Sequence, residues 1–133
     1  MLCVFALVLW SYDSEKPKPV TGWAEKTLAS LSTKEKIGQL FMVAAYSNRS
    51  PEHEAELKSM IQNYGIGGLI FFQGGPGRQE AMQQRLQRSA KIPLLIGIDA
   101  EWGVNMRLDS TYGFQRQMTV GATQNPILAQ DLG

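Results

Sequence analysis

A chemist looking for redox, metal or nucleic-acid function finds little in these 133 residues: one cysteine, one histidine and no run of like charge. Cys3 has no partner for an internal disulfide, and a single histidine leaves no cluster of soft ligands, so a structural zinc site is excluded. Thirteen basic residues against twelve acidic ones give a formal net charge of +1. That balance leaves no electrostatic footprint for nucleic acid or for an anionic membrane surface. No apolar run reaches the roughly 20 residues that a membrane-spanning helix needs, and no stable membrane insertion is expected beyond a leader.

That leader is the apolar stretch from Met1 to Trp10, followed by the polar, proline-containing stretch from Ser11 to Gly22. The two read as an export segment and a linker, although the basic residues that normally precede the apolar part of a signal peptide are missing. Only Met1 and Leu2 precede Cys3, which leaves no apolar run for export machinery to hold, so Cys3 reads as part of the leader rather than as a lipidated residue. The expected location is outside the cytoplasm, in the periplasm or cell envelope of a bacterium.

The folded part is expected from Trp23 to Gly133, and its pattern is regular. Ser32 and Glu35 have the spacing of a capping box, in which each side chain satisfies the other's backbone amide, so a short helix should start there. The apolar run Leu40–Ala45 suits a strand buried on both faces. From Pro51 to Tyr64 apolar residues fall at helical spacing, and Gly65 stands where a left-handed cap is wanted. A second strand follows at Gly68–Phe72, then the loop Gln73–Gly77 and a helix from Arg78 to Ala90 that turns Met82 and Leu86 inward. Pro93 breaks that helix, and Leu94–Ile98 forms a third strand ending at Asp99. A further helix is expected at Pro126–Leu132.

Strands alternating with helices at this spacing predict an α/β fold with a parallel sheet buried on both faces. Periodicity alone leaves open whether the sheet is doubly wound or part of an eight-stranded barrel. A complete barrel takes about 250 residues, so on the barrel reading the chain holds a partial TIM (β/α)8 barrel, its first few strand-helix units, and is a fragment. Such a fragment would expose apolar strand faces and an unpaired edge, and poor solubility is expected of it alone.

In parallel α/β proteins ligands gather at the carboxyl ends of the strands, where Asp99 stands. After it come Glu101, Trp102, Gly103, Asn105 and Arg107. A carboxylate accepts charge-assisted hydrogen bonds from two hydroxyls, and a flat aromatic can cover the apolar face of a pyranose, a mix that suits sugar binding. The alternative is purely local order, with Asp99 capping the loop and Glu101 paired to Arg107.

Four stretches, Glu35–Met42, Tyr64–Phe72, Ile92–Glu101 and Gly121–Thr123, resemble in order and spacing the successive blocks at the start of glycoside hydrolase family three. The resemblance covers residues 32–133 and is nearest to the bacterial β-N-acetylglucosaminidase-like branch. It implies a barrel domain, a carbohydrate substrate, a retaining mechanism and no metal or cofactor. It also implies that Asp99 binds hydroxyls of the terminal sugar, with Glu101 and Arg107 in loop-shaping or secondary substrate contacts. N-acetylglucosaminides are the first choice of substrate and β-glucosides the second. Two positions depart from the pattern: Trp102 replaces the first of two glycines after the glutamate, and Gln115 replaces a proline in the loop expected to lead to the next strand.

The family's nucleophilic aspartate and histidine-containing acid/base loop both lie further along the chain than these residues, so no catalytic residue is assigned here. His53 lies in the charged start of a helix and reads as a solvated surface group. Two other readings stay open. One is an inactive or weakly sugar-binding remnant. The other is a dinucleotide-binding domain, since Gly74-Gly75-Pro76-Gly77 follows a strand and opens a helix, although the required third glycine is Glu80.

Overall fold

A computed structural model describes residues 22–132. The expected leader, all of the expected linker but Gly22, and Cys3 lie outside the described residues. The chain divides into two units after Ser30. In the first, the described part is helix α1, Trp23–Ser30, which the sequence pattern did not announce. The Gly22 N–H donates to the Glu25 carboxylate at 3.0 Å, and the Thr27 hydroxyl to the Trp23 carbonyl at 2.8 Å.

The second unit opens with α2, Thr33–Gly38, and its capping box is complete. Ser32 Oγ accepts from the Glu35 N–H at 3.3 Å, and Glu35 Oε2 accepts from the Ser32 N–H at 2.8 Å. Then follow β1 Met42–Ala45, α3 Pro51–Tyr64, β2 Gly68–Phe71, α4 Pro76–Ser89, β3 Leu95–Ile98, a 3-10 turn at Val104–Met106, α5 Gln117–Ala122 and α6 Pro126–Leu132. Gly65 ends α3 with φ 62° and ψ 46°, the left-handed cap that glycine adopts without strain. Helix α4 starts two residues before the expected Arg78, because Pro76 already has the φ that a first helical position needs.

The three strands are parallel and lie in the order β1-β2-β3. Their register sets two rows on one face, Val43–Leu69–Ile96 and Ala45–Phe71–Ile98. This face meets Leu57 and Ile61 of α3 and Met82 and Leu86 of α4, and with Ile66 and Leu94 they form one core. Glu54 of α3 clamps Arg85 of α4 with two bonds, at 2.6 and 2.8 Å. The Gln87 side chain pairs with both backbone groups of Leu94, at 2.8 and 2.9 Å, and so fixes the entry to β3.

The other face carries Met42, Ala44, Gly68, Ile70, Leu95 and Gly97. Helices α3 and α4 pack against the opposite face, and on this one Met42 and Leu95 are 42% and 69% exposed. The expectation of strands buried on both faces therefore fails for β1 and β3. Both connecting helices pack into one core on one side of strands laid down in sequential order. A doubly wound sheet would place helices on both faces, so this is the arrangement of the first units of a barrel. A second expectation also fails: after the β3 loop the described residues form two helices, α5 and α6, and no further strand.

Candidate functional site at the carboxyl ends of the strands

All three strands end at the same edge, and the residues immediately past them are Tyr46, Phe72 and Asp99. Asp99 heads the long loop of residues 99–116. Arg107, eight positions on, bonds it twice: Nη2 to Asp99 Oδ2 at 2.5 Å and Nε to the Asp99 carbonyl at 2.8 Å. The Arg107 and Asp99 side chains are 17% and 32% exposed. Such half-shielding strengthens an ion pair relative to a surface one, and the planar fork of a guanidinium fixes orientation as well as charge. Among the described residues Asp99 Oδ1 has no hydrogen-bond partner, so one oxygen is anchored and the other is left to accept from a ligand.

The loop is also tied to its neighbours. The Gly74 N–H donates to the Arg107 carbonyl at 3.0 Å and the Asp109 N–H to the Gly74 carbonyl at 2.8 Å, which makes an isolated parallel bridge between Gly74 and Leu108. Asp109 forms an ion pair with Arg78 of α4. From the β1 side, Ser47 Oγ accepts from the Gly75 N–H at 3.3 Å. A β-carbon on Gly74 would stand 1.8 Å from that hydroxyl oxygen, so glycine is required here by close approach. The first two amides of the glycine loop, those of Gly74 and Gly75, are thus taken by Arg107 and Ser47, and the third glycine of a dinucleotide pattern is Glu80.

Glu101 does not join Arg107, contrary to the local-order alternative. It is exposed at the rim, and its carbonyl accepts from the Gln117 side chain. Its carboxylate has no partner among the described residues. Arg107 pairs with Asp99 instead, because the backbone and side-chain oxygens of that one residue match the guanidinium fork. Glu101, Trp102, Gly103, Phe114, Gln115 and Gln117 line a cleft of about 330 Å³, and Arg116 lies over the Trp102 ring at 5.0 Å. A larger cleft, about 470 Å³, lies at the amino ends of the strands beside Glu35, Gln39 and Lys91. Barrel-type proteins do not place their chemistry at that end.

His53 is not a solvated surface group. It is half-buried, its Nε2 accepts from the Tyr46 N–H at 3.2 Å, and its ring meets the Tyr46 ring edge-on at 5.7 Å. Burial, and then the nearby Arg49 charge, push its pKa below the usual histidine value, so the neutral ring that can accept this bond is favoured. The residues that sequence reading missed are Tyr46 and Phe72. The available signal was positional: each stands one residue past its strand, at the same height as Asp99.

Among the described residues no group of three or more metal-ligating side chains comes together, and no helix is long and apolar enough to cross a membrane. Residues 32–133 match the model of the glycosyl hydrolase family 3 N terminal domain. The chain is 29% identical over 101 residues to a beta-N-acetylglucosaminidase/beta-glucosidase of Cellulomonas fimi, a match covering 76% of this chain and 17% of that protein. It therefore spans about a sixth of that relative. Among solved structures it is similar to beta-glucoside phosphorylase BglX bound to 2FGlc, with 27% identity and a TM-score of 0.48 over 59% of this chain and 16% of that one.

Proposed function

Because the chain belongs to glycosyl hydrolase family 3, we propose that it supplies the part of a retaining glycosidase that grips the terminal β-linked sugar, with Asp99 as the gripping group. The observation that carries this is the half-engaged carboxylate. Arg107 holds Asp99 Oδ2 and the Asp99 carbonyl, which keeps the charge and fixes the direction of Oδ1, the oxygen that accepts from sugar hydroxyls. Arg107 acts as the brace. Glu101 and Trp102, on the adjoining cleft, shape the loop and make secondary contacts.

Hydrolysis with retention needs a nucleophilic carboxylate and an acid/base group about 5–5.5 Å apart across the scissile bond. The other carboxylates of this loop do not form such a pair with Asp99: Asp109 is bound to Arg78 and Glu101 points out at the rim. The family resemblance implies that nucleophile and acid/base lie further along the chain than these residues, and this segment binds and orients. Terminal N-acetylglucosamine is the first choice of substrate and glucose the second, a pairing that the name of the Cellulomonas fimi relative also carries. The apolar leader supports an exported, cell-envelope protein. The uncovered sheet face with Met42 and Leu95 favours one second reading, that residues 1–133 alone bind sugar weakly and hydrolyse nothing.

The test is hydrolysis of aryl N-acetylglucosaminides and aryl glucosides by the full gene product and by its Asp99→Ala variant. Each charge-assisted hydrogen bond is worth about 1.5–3 kcal/mol, so losing one should lower kcat/KM by about 10- to 150-fold. Unchanged kcat/KM on both substrates would remove Asp99 from the site. The same assay on residues 1–133 alone should show no turnover.

A further inference from the structure

The row of residues just past the strand ends does more than flank Asp99. It extends the register Ala45–Phe71–Ile98 by one position, and the Phe72 N–H donates to the Ala45 carbonyl at 2.9 Å. The Tyr46 and Phe72 rings are stacked, with centroids 5.5 Å apart and planes 22° from parallel. The Arg107 guanidinium carbon lies 4.7 Å from the Phe72 centroid, while Nη2 and Nε of the same group bond Asp99. Arg49 lies 3.7 Å over the Tyr46 ring. His53 holds the Tyr46 backbone from behind.

These rings stand outside the cluster of buried residues that forms the core, so filling the interior does not account for them. Phe72 touches the brace, and Tyr46 touches Phe72. Arginine reaches its partner through a long, freely rotating side chain, and a carboxylate held only by such a chain keeps that freedom. A ring face under the guanidinium removes it, because the cation is attracted to the face and the plane is set by stacking. The second ring does the same for the first.

We propose that Phe72, backed by Tyr46, is a positioning residue for sugar binding: it sets the plane of Arg107, and Arg107 sets Asp99. This rests on the reading of Asp99 as the sugar-gripping carboxylate. On this proposal the effect of the ring reaches the sugar through Arg107.

That dependence supplies the test. In the full gene product, the inhibition constants of N-acetylglucosamine and glucose are measured for the wild type and for Phe72→Leu, Phe72→Tyr, Tyr46→Leu, Arg107→Met, Asp99→Asn and the Phe72→Leu/Arg107→Met double variant, with melting temperatures alongside. A cation–π contact of this kind predicts that Phe72→Leu weakens sugar binding by about three- to thirtyfold. Phe72→Tyr, which keeps the ring face, should bind as the wild type does, and Tyr46→Leu should show a smaller loss. In the Arg107→Met background Phe72→Leu should have no further effect, since residues that act through one another are not additive. An undiminished effect in that background, or a loss in Phe72→Tyr equal to that in Phe72→Leu, overturns the proposal. If Phe72→Leu does not fold, Tyr46→Leu with and without Arg107→Met carries the same comparison. Weak binding by Asp99→Asn together with wild-type binding by Phe72→Leu sinks this inference alone, whereas wild-type binding by Asp99→Asn sinks the sugar-site reading and this inference with it.

Discussion

Replacing Gly74 by alanine adds one methyl group where three loops meet. Glycine at 74 is not there for a left-handed backbone, which among the described glycines only Gly65 and Gly103 adopt. The constraint is space: the new carbon would stand 1.8 Å from Ser47 Oγ, 3.0 Å from Ser47 Cβ and 3.3 Å from the Ser47 nitrogen. Rotating the serine hydroxyl clears the first contact but breaks its bond from the Gly75 N–H, at about 1 kcal/mol. The carbon–carbon contact remains and forces the loops apart, at the roughly 1–3 kcal/mol of an overpacked site. Gly74→Ala should thus destabilise by about 2–4 kcal/mol, read as a shift in the midpoint of denaturant unfolding. Ser47→Gly alone loses only the hydrogen bond, about 1 kcal/mol, but in the Gly74→Ala background it removes both contacts with the serine side chain and should recover roughly half to three quarters of the loss. A change within about 0.5 kcal/mol, the range of neutral surface substitutions, or no recovery on adding Ser47→Gly, would refute the close-approach argument.

Two further outcomes follow from the fold. Phe71 is fully buried at the centre of the sheet, so Phe71→Ala should cost about 3–5 kcal/mol by denaturant titration; a smaller loss would show that the core collapses around the gap. Glu35 has its pKa lowered to about 2 by the Ser32 backbone N–H, then by the Ser32 hydroxyl and Lys91. Its folded value lies below its unfolded one, near 4.5, so its stabilisation is fully present above pH 4.5 and fades as pH falls toward 2. Glu35→Gln should flatten that acid limb of the stability curve, and parallel acid limbs in wild type and variant would move the effect to other groups.

Element order was legible because it is written locally. The helical spacing of Ala55, Leu57, Met60 and Ile61, the glycine after Tyr64 and the Ser32–Glu35 pair each act within a few residues, and α2 and α3 form where they point. Which sheet face the helices cover was not legible, since the apolar runs around β1 and β3 carry residues for both faces. The partner of Arg107 was likewise hidden: Asp99 and Glu101 stand eight and six positions before it, and sequence gives no reason to prefer one. Tyr46, Phe72 and His53 were missed because their contacts join segments that only the strand register brings together. His53 was read from its charged neighbours, whereas the start of α3 turns it back toward Tyr46.

The glycine pair at the β2 exit shows why a local motif can mislead. Gly74-Gly75-Pro76-Gly77 has the composition of a phosphate cradle, yet both of its first two amides are used within the chain. The cause lies in the strand order. With β2 between β1 and β3, its loop is the one that both neighbouring loops can reach, and Ser47 from one side and Arg107 and Asp109 from the other converge on it. Backbone must pass backbone there, which glycine permits. The long loop of residues 99–116 has one 3-10 turn as its only regular structure, and loops of that length hold a fixed shape only when something braces them. Phe72 and Gly74 are that brace, through the side chain and the backbone of Arg107 respectively. A carboxylate at a strand end is common. Asp99 differs from the common case because the middle strand's loop holds the arginine that holds it.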